Sequence, residues 1–484
     1  MKNIKRIKIT LFVCLAALCL TSCTKWLELK PFDQILDDEV YSSERSINMA
    51  LNGLYLSMAD QSLYGKNLTY YTTELLGQRY NLGGWSLGLP VVLTRLPFFQ
   101  YEYDEVASHL DAIFRKAYAV ILNVNYFIEQ VEKTDGVVID SKKNILLGEA
   151  YALRAFMHFD MVRFYGSPPI LGKEGIGVPY CVASTNEWQP ILTNGEVLTL
   201  VLRDIERSIA LLQNDAILTN GVEKTNDVSD FYRYYRNRRM NLFAVQALKM
   251  RVLIYAGDEE SIQAAGNIAK ELIESETFEK SFPWETDFSR VDDIYSNEVI
   301  FGINVSTLYE DWAIYYNTSA SSQFSVLPTP FATLNYMYDS APFTNSYDRR
   351  ATQWQEFGLI ANLYLSRKFR NPNNTTASHL YLQPLIKKSE VYLVAAEVFQ
   401  EAKYIDAIRV HRGAKTLEED LSTYDLQEQI RKEYMKEFVG EGQLFYYYKR
   451  RAETSIWGRA GSAITISLPE SSYVPPMPKT ETER

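Results

Sequence analysis

Three glutamates near the C-terminus, Glu433, Glu437 and Glu441, are spaced four residues apart. A helix with this spacing places all three carboxylates on one face. A glycosidase instead needs two carboxylates on opposite sides of a cleft, roughly 5–9.5 Å apart. We therefore expect a charged helix face and assign no catalytic residues. The cations expected to face these glutamates are Lys432, Lys436, Lys449 and Arg450.

The histidines and the internal cysteine do not indicate metal or nucleophile chemistry. The histidines are His109, His158, His379 and His411, and they lie far apart, outside HExxH or CxxC motifs. Cys181 lies in an apolar segment without a nearby histidine, which favours a core position over a nucleophile. The sequence therefore predicts no metal site, no cofactor and no enzymatic activity.

Two clusters of aromatic and polar residues have the composition of a carbohydrate-binding surface. Aromatic rings stack on the apolar faces of sugars, while amide, guanidinium and carboxylate groups bond to the hydroxyls. The clusters are Gln78, Arg79, Tyr80, Asn81 and Trp85, and then Tyr309, Glu310, Asp311, Trp312, Tyr315, Tyr316 and Asn317. The candidate ligand-binding residues are Arg79, Tyr80, Asn81, Trp85, Tyr309, Trp312, Tyr315 and Tyr316. The alternative role for each is packing within its own loop or against a partner protein.

The N-terminus has the pattern of an export signal. Cations in residues 1–8 precede an apolar run over 9–20, which as a helix rises about 18 Å and is too short to cross a ~30 Å hydrocarbon core. A basic segment followed by a short apolar run is typical of a signal peptide. Cys23 follows Leu-Thr-Ser in the pattern of a bacterial lipobox, so we predict removal of residues 1–22 and lipid on Cys23. An ordinary secretory signal is the alternative.

The overall charge argues against nucleic acid as a partner. The 484 residues carry 50 Lys+Arg and 60 Asp+Glu, a formal net charge of −10, and removal of the four cations in 1–22 leaves −14. A nucleic-acid binder would show a basic excess or a basic stripe. Because the chain is acidic, attachment to an anionic membrane surface would depend on the acyl chains.

Helical spacing of apolar residues covers most of the chain and predicts helices from about residue 43 onward. They lie near 43–58, 106–131, 141–165, 195–213, 241–256, 258–275, 383–402, 404–413 and 425–438. Gly148, Ala152 and Ala155 share one helix face, where small side chains would admit a close partner helix. Glu149 and Arg154 are candidates for a buried ion pair.

Two segments with little helical spacing, 61–104 and 277–382, interrupt these helices and hold many aromatic residues. Long loops in a compact protein are usually binding loops, so we predict ligand-binding insertions. The helical scaffold would then cover about 43–276 and 383–450 of a single domain, 23–484. A short strand is expected at 297–303, and the tail from Ser467 is expected to be extended.

Several short motifs occur in a fixed order from residue 23 to the end of the chain. They are Cys23 to Pro31, Leu147 to Pro169 (LGEA, RAF, YG and P), Asn241 to Ala256, Asn297 to Phe301 (NEVIF), Ser389 to Glu397, Ile430 to Phe445 and Pro475 to Glu481. Together they resemble the SusD/RagB family, the surface lipoproteins of nutrient-uptake systems in Bacteroides-type bacteria.

The resemblance implies a mainly α fold: an irregular, tetratricopeptide-like scaffold of helix pairs with long aromatic-rich loop insertions and a few short strands. It also implies a non-catalytic lipoprotein of the outer membrane, facing the cell exterior. Such a protein would bind an oligo- or polysaccharide and deliver it to a SusC-like TonB-dependent transporter. A peptide ligand, as in the RagB branch of the family, is the alternative.

Overall fold

The computed structural model describes residues 39–82, 89–185, 187–225, 230–288, 291–317, 326–358, 361–371, 377, 379–417, 424–458, 465–467 and 470–483. The signal peptide (1–22), Cys23 and Trp85 lie outside these residues, so what we expect of them stays a prediction. Within the described ranges, no helix combines the length and the apolar character needed to cross a membrane.

The architecture is mainly α-helical, which confirms the predicted fold class. The helices are α1 (Glu44–Met58), α2 (Thr72–Leu76), α3 (Val91–Arg95), α4 (Asp104–Lys133), α5 (Asp140–Tyr165), α6 (Asn194–Leu211), α7 (Ile217–Asn220), α8 (Leu242–Ala256), α9 (Glu259–Glu274), α10 (Glu276–Ser281), α11 (Leu308–Tyr316), α12 (Phe331–Met337), α13 (Lys388–Phe399), α14 (Ala402–Arg412), α15 (Leu426–Glu437), α16 (Gln443–Arg450) and α17 (Lys479–Thr482). Helix α17 and a 3₁₀ turn at Glu470–Tyr473 replace part of the extended tail that the prolines led us to expect.

The strands are short, and four of the nine described lie within the second insertion. They are β1 (Ile176–Pro179), β2 (Ile191–Thr193), β3 (Val299–Asn304), β4 (Thr329–Pro330), β5 (Trp354–Glu356), β6 (Leu363–Ser366), β7 (Leu382–Lys387), β8 (Ser455–Trp457) and β9 (Thr465–Ser467). Each sheet is antiparallel, with the orders β1-β2, β3-β7, β4-β6-β5 and β8-β9.

Strand β3 confirms the strand expected at 297–303, but the helix expected over 383–402 is wrong in its first residues. Residues 382–387 pair with β3 instead, and the helix begins only at Lys388. Pro384 has no N–H to donate within a helix, and it lies opposite Gly302 in the strand pair. The insertions 61–104 and 277–382 also contain short helices, among them α2, α3, α11 and α12, whose 5 to 9 residues are too few to show a clear period.

The scaffold consists of long helices packed against one another. Contacts join α4 to α5, α5 to α6, α8 to α9, and α9 to α13. The connection between α8 and α9 is set by local chemistry: Gly257 adopts a φ of +79°, and the Asp258 carboxylate then accepts the Ser261 N–H at 3.1 Å. Glycine takes this left-handed conformation without strain, and aspartate is a favoured N-cap residue.

Helix α5 is the centre of the scaffold, because every residue from Ile145 to Tyr165 is buried. Gly148 admits the close approach of α6: the Ser208 hydroxyl donates to the Gly148 carbonyl at 2.7 Å, and a Cβ on Gly148 would lie 2.7 Å from Leu212 Cγ. The expected pairing of Glu149 with Arg154 is wrong. Because they lie five residues apart and point to different neighbours, Glu149 pairs with Arg236, and Arg154 pairs with Asp204.

Glu433, Glu437 and Glu441 are all buried and lie in one charge network, not on a solvated helix face. Glu437 accepts from Arg350 and Arg412 at 2.8 Å each and lies 3.2 Å from Lys387. Among the residues that the structure describes, the network joins six cations to five carboxylates. These are Arg350, Arg409, Arg412, Lys368, Lys387 and Lys436, with Asp348, Glu298, Glu433, Glu437 and Glu441.

Of the expected cationic partners of these glutamates, Lys436 is confirmed, since it lies 2.6 Å from Glu433. Lys449 and Arg450 are wrong: the first donates to the Phe164 carbonyl, and the second pairs with Glu397. Lys432 pairs with Asp339 and Glu428. The other partners come from the second insertion, from strand β7 and from helix α14, and spacing along one helix cannot reveal them.

The network sets the ionisation of its glutamates. Burial alone would raise the pKa of Glu437, but Arg412, Lys387 and Arg350 together hold it well below the usual 4.5. The pKa of Glu433 is likewise held below its ordinary value against the effect of burial, chiefly by Arg350, Lys436 and Arg409. A depressed carboxylate pKa stabilises the fold above the unfolded-state pKa, and that stability is lost as the pH falls through the folded-state value.

We expect Glu437→Gln to lower the free energy of unfolding by about 3–5 kcal/mol at pH 7, because it leaves buried cations without their charge partner. The substitution keeps the size of the side chain, so a cavity does not contribute. The variant should also lose less further stability than the wild type as the pH falls below about 4.5, because the depressed carboxylate is gone. Urea unfolding at pH 7 and at several lower pH values measures both effects.

The control is Glu401→Gln, which removes an exposed carboxylate that pairs with the exposed Lys403. A surface pair of this kind contributes about 1 kcal/mol or less. Equal stabilities of Glu437→Gln and Glu401→Gln would contradict the role given to the network.

Candidate functional site

The two aromatic clusters predicted from the sequence lie against each other in the structure. Helix α11 packs on the segment 61–82, and rings from both interlock. The Tyr70 and Trp312 ring centroids lie 5.3 Å apart, and those of Tyr71 and Tyr315 lie 5.2 Å apart. The two insertions therefore contribute to one surface.

Four of the candidate residues are buried beneath this surface, namely Arg79, Tyr80, Trp312 and Tyr316. Trp312 and Tyr316 stack with ring centroids 3.6 Å apart, and the hydroxyl of Tyr80 hydrogen-bonds that of Tyr316. Arg79 pairs with the buried Glu74. The expectation that these four side chains face a ligand is corrected, because their rings and guanidinium are used in packing. We call five buried aromatic residues the aromatic floor. They are Tyr70, Tyr71, Tyr80, Trp312 and Tyr316.

Above the floor, five half-buried or exposed side chains form a polar edge that we call the rim. The rim consists of Gln61, Lys66, Asn81, Asp311 and Tyr315. Gln61 Nε2 donates to Asp311 Oδ1 at 3.1 Å, and the Lys66 ammonium lies 5.1 Å from the centre of the Tyr71 ring.

Asn81 is joined to Tyr315 through the backbone of residues 327–328. The Asn81 N–H donates to the Pro328 carbonyl at 2.8 Å, and the Leu327 N–H donates to the Tyr315 carbonyl at 2.9 Å. One candidate from each sequence cluster therefore reaches the same surface. Trp85, from the first cluster, lies outside the described residues.

Tyr309 lies apart from the rim. It is six residues from Tyr315, which corresponds to about 120° around a helix. Its ring stacks on Tyr381 with centroids 5.1 Å apart, and the two hydroxyls lie 2.8 Å from each other. The structure therefore does not bring Tyr309 and Tyr315 to one face of α11.

Sequence reasoning missed Gln61 and Lys66. Neither belongs to an aromatic cluster, and the signal that could have found them is position, since both lie at the start of the insertion 61–104. Burial lowers the pKa of Lys66, while the nearby Asp311 carboxylate acts in the opposite direction.

His109 supports the floor from behind. Its Nε2 lies 2.7 Å from Thr72 Oγ1, and burial lowers its pKa to about 4, so the ring is neutral at pH 7. Cys181 is half-buried, and burial raises the pKa of its thiol to about 11, so it is protonated and a weak nucleophile.

The rim can form hydrogen bonds and offer one aromatic edge, which is the chemistry of binding. Its carboxylate, Asp311, is already engaged by Gln61 and by the Thr307 hydroxyl at 2.5 Å. Glycoside hydrolysis needs a second carboxylate across the site, and the five rim residues do not include one. In the part of the chain that the structure describes, no group of three or more His, Cys, Asp or Glu is arranged to hold a metal ion.

Comparison with known proteins gives a family match over the N-terminal part of the chain. A SusD-like family model described as "Starch-binding associating with outer membrane" matches residues 25–224. A SusD-like protein of Formosa agariphila is 27% identical over 208 residues, which are 43% of this chain and 38% of that protein. A second SusD-like protein of the same organism is 28% identical over 169 residues, 34% of this chain and 31% of its own length. The matches thus span well under half of these curated relatives.

Solved structures are similar over nearly the whole chain. A SusD superfamily protein of Bacteroides vulgatus gives a TM-score of 0.69 at 19% identity and covers 91% of this chain and 98% of its own. One from Bacteroides thetaiotaomicron gives 0.68 at 20% identity with the same coverage. At such identities the likeness concerns the fold alone, and it agrees with the mainly α architecture described above.

Proposed function

We propose that the chain is a SusD-like protein that binds a glycan, an oligo- or polysaccharide, at the outer membrane. The family description, starch-binding and associated with the outer membrane, supports this proposal. The observation that carries it is the meeting of two insertions in one surface, where the Tyr315 ring and polar rim side chains rest on a packed aromatic floor.

A sugar suits this surface for a physical reason. The exposed edge of Tyr315 offers an apolar contact for a pyranose face, while Asn81, Gln61 and Asp311 offer amide and carboxylate groups to its hydroxyls. The floor is already packed, so few side chains must be ordered when the ligand binds, which lowers the entropic cost. Trp85, which is near Asn81 in sequence, stays a candidate for a second ring.

The export and delivery steps are part of the same proposal. Removal of residues 1–22 and lipid on Cys23 would anchor the protein to the outer membrane, facing the cell exterior. From there it would pass the glycan to a SusC-like TonB-dependent transporter. The resemblance to the family supports this partner, and the acidic mature chain supports anchoring by acyl chains instead of by surface charge.

Affinity electrophoresis of the mature chain lacking Cys23, across soluble polysaccharides and mucin glycans, tests the binding step. We expect at least one glycan to retard the protein, and Tyr315→Ala to weaken that binding about tenfold or more, since it removes the half-buried ring of the rim. Tyr347→Ala is the matched control, because Tyr347 is 86% exposed and lies outside the rim and the floor.

Retardation that survives both Tyr315→Ala and Asn81→Ala would place the glycan site elsewhere. Absence of retardation by every glycan in the panel would contradict glycan binding and favour a peptide ligand. The same variants would then be tested by calorimetry with mixed tripeptides.

The anchor has its own test, in cells fed an alkyne analogue of palmitate. We expect label on the wild-type protein in the membrane fraction, and neither label nor membrane attachment for Cys23→Ala. Cys19→Ala, which changes a cysteine of the predicted signal peptide, should behave as the wild type. Label that persists on Cys23→Ala would contradict the lipobox interpretation.

A further inference from the structure

A second concave site lies away from the rim, between α1, the segment 230–239 and the end of β3. Its volume is about 500 Å³. Its lining is aromatic and cationic: Tyr55, Phe231, Tyr234, Tyr235, Arg238 and Arg239, with Asn52, Leu56, Asp230, Ile303 and Asn304 around them. None of these residues belongs to the rim or to the aromatic floor. We call this site the arginine pocket.

Arg239 is held rigidly in the wall of the arginine pocket. Its guanidinium carbon lies 3.6 Å from the centre of the Phe231 ring, and Nη2 donates to Asn52 Oδ1 at 2.6 Å. On its inner side, Nη1 lies 3.4 Å from Glu149, a buried carboxylate that also accepts from Arg236 and Tyr55. Glu149 is therefore shared among several donors, of which Arg236 is also paired with Asp215.

Arg238 lines the same pocket beside its neighbour. Its guanidinium carbon lies 4.7 Å from the centre of the Tyr235 ring, and burial lowers its pKa from the ordinary value. A partly desolvated guanidinium gains more from an added anion than an exposed one does. The exposed Asp230 also lines the pocket.

We propose that the arginine pocket binds an anionic sugar, a pyranose that carries a carboxylate or a sulfate group. The planar guanidinium groups match two oxygens of either anion. The rings of Phe231, Tyr234 and Tyr235 supply the apolar contact that a pyranose face needs, and Asn52 and Asn304 supply amide groups for its hydroxyls. The class of ligand rests on the proposed glycan-binding function, but the site is distinct from the rim.

Because the protein as a whole is negatively charged, an anionic sugar can bind only at a local cationic site. With a net charge of −14 after removal of residues 1–22, the protein as a whole repels anionic glycans, so their binding requires a local cationic site. Attraction at such a site is screened by salt. Binding in the arginine pocket should therefore weaken as the NaCl concentration rises, whereas stacking at the rim should depend less on salt.

Calorimetry with trigalacturonate, galactose 6-sulfate, maltotriose and trialanine tests the proposal on the full mature chain. We expect trigalacturonate or galactose 6-sulfate to bind, and which of them binds distinguishes a carboxylate from a sulfate ligand. Arg238→Gln should weaken that binding at least tenfold. Arg238→Lys keeps the charge but loses the planar fork, and it should give a smaller loss.

Arg207→Gln is the matched control. Arg207 is also stacked on a tyrosine, with its guanidinium carbon 4.3 Å from the Tyr151 ring centre, but it lies outside the arginine pocket. Circular dichroism and the melting temperature establish that each variant is folded. If Arg238→Gln is unfolded, the affinity of Arg238→Lys for the anionic sugar is compared with that of Arg207→Gln. Equal affinities of these two variants would overturn the proposal.

Three other results would overturn the inference: neither anionic sugar binds, Arg207→Gln weakens binding as much as Arg238→Gln, or only trialanine binds. These results are separable from a failure of the proposed function. Tyr315→Ala reports on the rim through retardation by polysaccharide, and Arg238→Gln reports on the arginine pocket through the anionic sugars alone. Loss of one signal with the other intact identifies which claim has failed.

Discussion

The buried charge network around Glu437 is the interaction on which the proposed binding surface depends. It joins helix α15 of the scaffold to four residues of the second insertion, Glu298, Asp348, Arg350 and Lys368. A loop insertion of this length would otherwise have many conformations, and ordering it costs conformational entropy. Removing one charge from such a network leaves its partners buried and uncompensated, so the insertion is held in one position relative to the helices.

The network extends to the aromatic floor through a short turn after α15. Glu441 pairs with Lys368, and the next residue, Gly442, donates its N–H to Glu74 at 3.2 Å. Glu74 in turn pairs with Arg79 of the first insertion. Gly440, with a φ of +70°, passes so close to the floor that an added Cβ would lie 2.9 Å from the Trp312 ring. The charges thus position both insertions on the same scaffold edge.

The packed aromatic floor beneath the polar rim should lower the entropic cost of ligand binding. Ligands of modest size gain affinity when the site is ordered beforehand, because fewer rotamers are lost on binding. The stacked pair of Trp312 and Tyr316 is buried and cannot contact a sugar, yet it fixes the helix that presents Tyr315. Some aromatic residues of the insertions, such as Trp312 and Tyr316, are therefore buried supports. Others, such as Tyr315, lie at the surface itself.

The sequence predicts the scaffold well and the site poorly, for physical reasons. Long amphipathic helices repeat their pattern many times, so the helix expected over 106–131 is observed as Asp104–Lys133. Helix α11 has only nine residues, and composition suggested a loop of exposed rings there. On a helix, residues four apart lie on one face. The spacing of Leu308, Trp312 and Tyr316 would therefore have indicated a buried stripe if the segment had been predicted as a helix.

The ion pairs of the charge network could not be predicted from the sequence either. Its glutamates are visible as a spacing of four, but Arg350 lies 83 residues from Glu433 and Arg412 lies 114 residues from Glu298. Such pairs follow from the tertiary fold and not from a local pattern. The same holds for the rim, where Gln61 meets Asp311 across 250 residues.

Hydrogen exchange of backbone amides with and without a retarding glycan would test the central claim most directly, because it does not depend on any substitution. We expect slower exchange in two separate segments, 61–82 and 308–317, with no change in the scaffold helices over 242–274. Protection confined to the scaffold helices, or to only one of the two segments, would contradict a binding surface built jointly by the two insertions.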